Sequence, residues 1–421
     1  MDKAQYDNYL DILKEELVPA MGCTEPIAVA LAAAKAREVL GCKPEKMVVR
    51  CSGNIVKNVK GVVVPNSGGQ KGIAPAAVLG MLAGRSDRDL EVIAEVDDSA
   101  IAETKRLCKT DFCSCKLEEN EENLYIRVEM MTKEHRVVVE IRTNHDHIAW
   151  IEKDGKTLFS QADVKVSRRG DKSKLNITDI FDFANTVQLA DVQPILHRQI
   201  VYNSAIANEG LKNKWGAGVG KTLFTAGEQD VRMRARAAAA AGSDARMNGC
   251  SLPVVINSGS GNQGITCTMP LVVYAKEWGV SDEKLYRALV LTDLLALHQK
   301  FFIGNLSAYC GAVSAGAAAG CGIAYLQDEG LEVIEHTLIN AIGNVGGIVC
   351  DGAKASCAAK ISSAVDAGIL GYDMAKHDRC FPFGEGLVEK DAEQTVQNIG
   401  RVGRVGMKAT DVEILNIMLG A

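Results

Sequence analysis

Residues 303–326 read IGNLSAYCGAVSAGAAAGCGIAYL, twenty-four positions without a charge and dominated by Ala, Gly and Ser. The length would suffice to span a bilayer. Such small side chains gain little from lipid, yet they let neighbouring backbones approach closely. The stretch is therefore expected to be a central helix of a soluble protein, wrapped by other helices. The chain as a whole agrees: it is rich in Gly and Ala, and its 40 glycines contrast with an aromatic content of only 5%.

At 421 residues the chain exceeds one compact core and suggests two domains. The helical spacing of YLDILKEEL, and EPIAVALAAAKAREVLG with Pro26 near its start and Gly41 at its end, predict helices. Short strands are expected at MVVRC and VKGVVV, and a helix over 77–84. From about residue 88 the texture alternates: EVIAEV, LYIRVEM and HRVVVEIRT read as strands, with DSAIAETKRLC a helix among them. From about residue 175 helices dominate. The fold class is therefore α+β: a mainly helical core over 1–87 and 172–421, carrying a small inserted α+β sheet domain over 88–171.

Composition excludes several functions. A net charge of −6 offers no basic footprint for nucleic acid. The N-terminus lacks the basic start and apolar run of a signal peptide, so a cytoplasmic location and no membrane partner are expected. Assembly into a homo-oligomer is compatible with this reading.

Two glycine motifs suggest nucleotides and fail on context. Gly259-Ser-Gly261-Asn-Gln-Gly264 follows an apolar run with dinucleotide-loop spacing. No second strand follows the helix, and the acidic residues Glu277 and Asp282 fall on helical sequence. In GAGVGKT the position that a phosphate-binding loop reserves for its first glycine is Trp215. No NAD or ATP site is expected. The first motif also has an echo, because PNSGGQKGI (65–73) repeats the Asn-Ser-Gly turn and Gly-Ile of NSGSGNQGI (257–265).

Thirteen cysteines in a cytosolic chain are not a disulfide framework. Most should pack as small hydrophobes. Cys23 in MGCTEP, Cys310 in NLSAYCGAVSAG, and Cys350 and Cys357 in GGIVCDGAKASC stand beside glycines, where backbone N–H groups can face sulfur. Spacing alone does not separate ligands from packed thiols. In a continuous helix Cys350 and Cys357 would lie about 10 Å apart, so Asp351-Gly352 is expected to break or start the helix. Cys113-Ser-Cys115 and the histidines of NHDH, His145 and His147, lack the further ligands a metal would need. The histidines read as a polar loop tip.

Taken together, GCTEP, PNSGGQKGI, NSGSGNQGI, the 302–326 segment and GGIVCDGAKASCAAK resemble the L-cysteine desulfidase family, relatives of the iron–sulfur L-serine dehydratase α-chain. The resemblance spans nearly the whole chain. It implies a [4Fe–4S] cluster held by Cys310, Cys350 and Cys357 with one iron open, no pyridoxal phosphate, and a small amino acid as substrate. It makes Cys23 the general base, with cluster ligation or simple packing as the alternatives; a helix N-terminus would lower its pKa. MGCTEP replaces the Ser/His-rich motif of the dehydratase branch, which favours cysteine over serine. The substrate carboxylate would meet the turns at Asn66, Ser67 and Gly68 and at Asn257, Ser258 and Gly259, where helix N-termini favour anions. Thr24 would add a hydroxyl and Glu25 would hold the ammonium; helix capping is the alternative for the Asn and Ser side chains. The reaction implied is α,β-elimination of L-cysteine. The alternatives are L-serine dehydration and a non-catalytic small-molecule-binding protein.

Overall fold

The uncharged segment forms a helix only from Gly311 to Leu326; the preceding helix ends at Ile303, and 304–310 is a loop. Within it every residue from Ala312 onward is buried. It packs against the helices Cys357–Ala375, Asp282–Ile303, Gly261–Trp278 and Leu331–Val345. The small side chains bring it into backbone contact with the helix Cys357–Ala375. A Cβ at Gly320 would lie 2.2 Å from the Gly368 carbonyl oxygen, and one at Gly368 would lie 2.1 Å from that of Gly316. This computed structural model describes all residues except 120, 162–168, 227–229, 305 and 421. Among the described residues no helix is long and apolar enough to cross a membrane.

Among the described residues eight strands form two sheets. β1 (Pro19–Met21) pairs antiparallel with β8 (Pro253–Val255) as a two-stranded ribbon. The other six are β2 (Lys46–Cys51), β3 (Cys113–Leu117), β4 (Tyr125–Met131), β5 (Arg136–Arg142), β6 (Ile148–Lys153) and β7 (Lys156–Ser160). Their order is β3-β2-β4-β5-β6-β7, and only β2 and β3 run parallel. Alternate residues Met47, Val49, Ile126, Val128, Val137 and Val139 are buried in the core, and the helix Thr24–Leu40 packs on β4 and β5. Intervening positions include the charged Arg50, Arg127, Glu129 and Glu140, and Arg127 meets Glu140 and Arg136 meets Glu129 across the strands.

The architecture is the expected α+β arrangement of a helical core and a small sheet. The sheet is not confined to 88–171, however, because β2 lies in its interior. Two expected strands are also absent. VKGVVV begins inside the helix Gly53–Lys60, because Ile55 and Val59 fall one turn apart and bury on one face. EVIAEV starts in a 3₁₀ turn, Ser86–Glu91, closed by the Arg85 N–H donating to the Val92 carbonyl.

Candidate active site

Four chain segments converge on one cavity of about 110 Å³. Pairing of β1 with β8 sets GCTEP beside NSGSGNQG, and the Thr24 hydroxyl donates to the Gly259 carbonyl at 2.9 Å. A second, isolated pairing joins Tyr309 to Val349: the Cys310 N–H donates to Ile348 and the Cys350 N–H to Ala308. Cys310 is thereby fixed as N-cap of the Gly311 helix, directly beside Cys350. Residues 350–356 form no helix, and Cys357 begins one, so the seven-residue gap is folded back as the Asp351-Gly352 break requires. At Gly352, φ is 90° and a Cβ would meet the Lys57 carbonyl at 2.4 Å, so this loop tolerates only glycine there.

The thiols of Cys310, Cys350 and Cys357 all line the cavity. Each faces a backbone N–H, of Ala312, Gly352 and Lys354 respectively. A hydrogen bond between the Cys310 and Cys350 sulfurs pulls Cys350 below the usual thiol range and pushes Cys310 above it; burial raises both, and Lys57 assists Cys350. Lys300 also lines the cavity, held down to about 8 by burial although Cys350 and Cys310 oppose that. Three thiols, backbone donors at each and flanking lysines fit an iron–sulfur group. Among the described residues no three His, Cys, Asp or Glu side chains stand at the spacing of a single bound metal ion.

Cys23 and Glu25 line the same cavity, with Cys23 in the small apolar cluster against which Cys357 packs. The Cys23 thiol donates to Glu25 Oε2 at 2.9 Å, Asn58 Nδ2 donates to Oε1 at 3.1 Å, and the Thr24 hydroxyl, shared with the Gly259 carbonyl, lies 3.2 Å from Oε2. His145 Nε2 stands 3.8 Å from Oε1, at ion-pair rather than hydrogen-bond distance. Burial pushes the Glu25 carboxyl up, but His145 and the Cys23 thiol outweigh it and hold the group at about 2. For Cys23 the expectation of a lowered pKa is overturned. Burial and the Glu25 charge raise it well above the usual thiol value, and its helix start supplies too little to offset them.

The substrate residues expected from sequence divide. Ser258 and Gly259 line the cavity, whereas Thr24 sits behind Glu25. Asn257 is turned away, donating to Asp293 Oδ1 at 2.9 Å. Asn66, Ser67 and Gly68 border a different cavity, beside Trp215 and Cys250. Asn66 donates to the carbonyls of Ile93 and Ala94, and Ser67 closes a turn with Gln70. The echo fails because the left-handed backbone falls on Asn66 in one copy (φ 54°) and on Ser258, one position later in the motif, in the other (φ 52°).

Sequence reasoning missed His145, which is buried in the cavity wall rather than at a polar loop tip. It also missed Asn58, Arg246, Asn262 and Gln263. His145 arrives on the loop between β5 and β6, so sheet and helical core both build the site. A polar residue in an otherwise apolar helical face, such as Arg246 in the Ala-rich Val231–Met247 helix, was the available signal.

Residues 87–416 match the family model described as serine dehydratase alpha chain. The chain belongs to that family. The matched region of the serine dehydratase alpha chain family contains Arg246 and the three cavity thiols but not GCTEP. Similar proteins cover nearly all of both chains. UPF0597 protein DSY1109 of Desulfitobacterium hafniense is 52% identical over 98% of this chain and 97% of its own. A UPF0597 protein of Finegoldia magna is 50% identical over 98% and 99%, and one of Bacteroides thetaiotaomicron 37% over 99% of each.

Proposed function

We propose that this member of the serine dehydratase alpha chain family is a [4Fe–4S]-dependent lyase that eliminates sulfide from L-cysteine. The observation that carries the reading is the convergence, on one cavity, of three N–H-facing thiols with the Cys23–Glu25 pair. Cys310, Cys350 and Cys357 would hold the cluster, which when bound supplies a Lewis acid for the leaving thiolate, a soft ligand suited to iron.

The chain's own residues handle the proton. Cys23 would take the substrate Cα proton as the thiolate, and Glu25 Oε2, which accepts from its thiol at 2.9 Å, positions the sulfur on the cavity. Asn58 fixes the carboxylate during this transfer. Loss of the Cα proton and of the β-thiolate leaves aminoacrylate. Water then converts it to pyruvate and ammonia, so cysteine plus water gives pyruvate, ammonia and hydrogen sulfide. L-Serine fits the same scheme with water as leaving group; the thiol in MGCTEP supports cysteine.

The test is anaerobic purification and reconstitution, with iron and sulfide assays, followed by pyruvate release from L-cysteine and from L-serine. Iron-loaded protein with the higher kcat/KM on L-cysteine is expected. Failure to hold iron, or no pyruvate from either amino acid, would sink the reading.

A further inference from the structure

Arg246 is 2% exposed, yet its Nε and Nη2 have no hydrogen-bond partner. Arg246 lines the cavity, its guanidinium lying so close over Gly261 that a Cβ there would sit 2.3 Å from Nε. Among the described residues no acid pairs with it at contact distance. Glu25, the acid on the same cavity, already receives Cys23 and Asn58. Burial lowers the Arg246 pKa, but a guanidinium does not lose its proton in a protein. A buried cation with open donors costs a fold several kcal/mol, so the retained charge implies an anionic ligand.

Two acceptors in the same cavity are also open: Asn262 Oδ1 and Gln263 Oε1. The Gln263 amide is pressed against Gly311, where a Cβ would lie 2.6 Å from its Cδ, next to Cys310. Open donors and open acceptors on one cavity match the two poles of a zwitterion.

We infer that Arg246 is the clamp for the α-carboxylate of the bound amino acid, with Asn262 and Gln263 receiving its α-ammonium. This rests on the reading of the cavity as an amino-acid site and replaces Asn66, Ser67, Gly68 and Asn257 as carboxylate donors. Arg246 binds through a planar fork, so lysine retains the charge but not the paired hydrogen bonds.

The test uses full-length, iron-loaded protein under anaerobic conditions, with Arg246→Gln and Arg246→Lys. Equilibrium dialysis against L-alanine, which carries both poles and no leaving group, reads binding without turnover; ethylamine, lacking the carboxylate, is the control. L-Alanine should bind at least about thirtyfold more weakly to Arg246→Gln and by an intermediate amount to Arg246→Lys. Ethylamine should be indifferent to either change. KM for L-cysteine should rise in parallel, and iron content should not change. Because its donors lack protein partners, Arg246→Gln should melt no lower than the parent protein. An L-alanine affinity within threefold of the parent overturns the clamp, and so does a lowered melting temperature, which would make Arg246 structural. If the parent protein releases no pyruvate, the lyase reading falls, while dialysis still decides the clamp.

Discussion

Replacing Gly368 by Ala should disturb the active site from the far side of the core. The Gly311–Leu326 and Cys357–Ala375 helices cross where Gly316, Gly320 and Gly368 meet. A Cβ at 368 would lie 2.1 Å from the Gly316 carbonyl oxygen and 3.2 Å from the Gly320 nitrogen, against 3.4 Å or more for ordinary contact. Both obstacles are backbone, so no side chain can rotate away, and the helices must separate by about an ångström. Cys310 caps one helix and Cys357 begins the other. By helix rise the crossing lies about 9 Å and about 16 Å from them, and rigid helices carry the displacement to the thiols. Overpacking of this kind costs about 3 kcal/mol. The expected result is a lower urea midpoint by far-UV circular dichroism, together with less than half the parent's iron per chain after anaerobic reconstitution. Gly330→Ala is the control, since nothing lies within 4 Å of a Cβ there. A Gly368→Ala protein with the parent's midpoint and full iron would refute the idea that backbone contact at this crossing sets the thiol geometry.

Cys23→Ala should reduce pyruvate release by about a hundredfold or more while cluster absorbance stays intact; loss of the cluster would make Cys23 a ligand instead. Burial holds the Asp293 carboxyl up at about 7 against 3.8 for an exposed one, although Asn257 and Gln199 hydrogen-bond to it. The folded chain therefore keeps a proton that the unfolded chain has released between about pH 4 and 7. This group's contribution to stability is complete below pH 4 and lost as pH rises through 7, by at most about 4 kcal/mol. Asp293→Asn should flatten that pH dependence in urea melts, and an unchanged slope would show that Asp293 titrates normally. Lys57, 2% exposed in its side chain, pairs with Asp411 and donates to the Cys350 carbonyl. Lys57→Met should leave Asp411 without that cation, cost about 1–3 kcal/mol, and expose the Lys408–Leu419 helix to limited proteolysis before the rest of the chain. Equal cleavage rates in the two proteins would remove Lys57 as the anchor of that helix.

The elements that the sequence announced are those with strong local signals. Alternation placed β4 and β5, and the uncharged Gly/Ala run announced a buried central helix. The seven-position spacing of Cys350 and Cys357 pointed to a break that Gly352 supplies. Where local and tertiary preferences compete, the reading failed. VKGVVV carries β-branched residues, yet Ile55 and Val59 recruit its first residues into a helix. The place of β2 inside the sheet depends on pairing with strands more than sixty residues away, which no window of sequence contains. His145 illustrates the same limit for the site. A His between Asn and Asp has the composition of a surface turn, and only the docking of sheet on core buries it against Gly259 and Glu25.

The glycines of NSGSGNQG show how one spacing can serve different chemistry. In a dinucleotide loop the three glycines provide a tight turn, close backbone approach to phosphate, and close packing of helix on strand. Here Gly259 takes a left-handed turn (φ 72°) under His145, and Gly261 leaves room for the Arg246 guanidinium. At Gly264 a Cβ would lie 2.0 Å from the Val255 carbonyl, so this glycine seats the helix on β8. The turn and the helix–strand contact are thus the same in kind, while the middle glycine admits a cation where a nucleotide loop admits an anion. That inversion explains why the motif lacks the downstream strand and acidic residue of a ribose site. The positive charge over Gly261 belongs to the protein, and under the proposed clamp it is the ligand that brings the carboxylate.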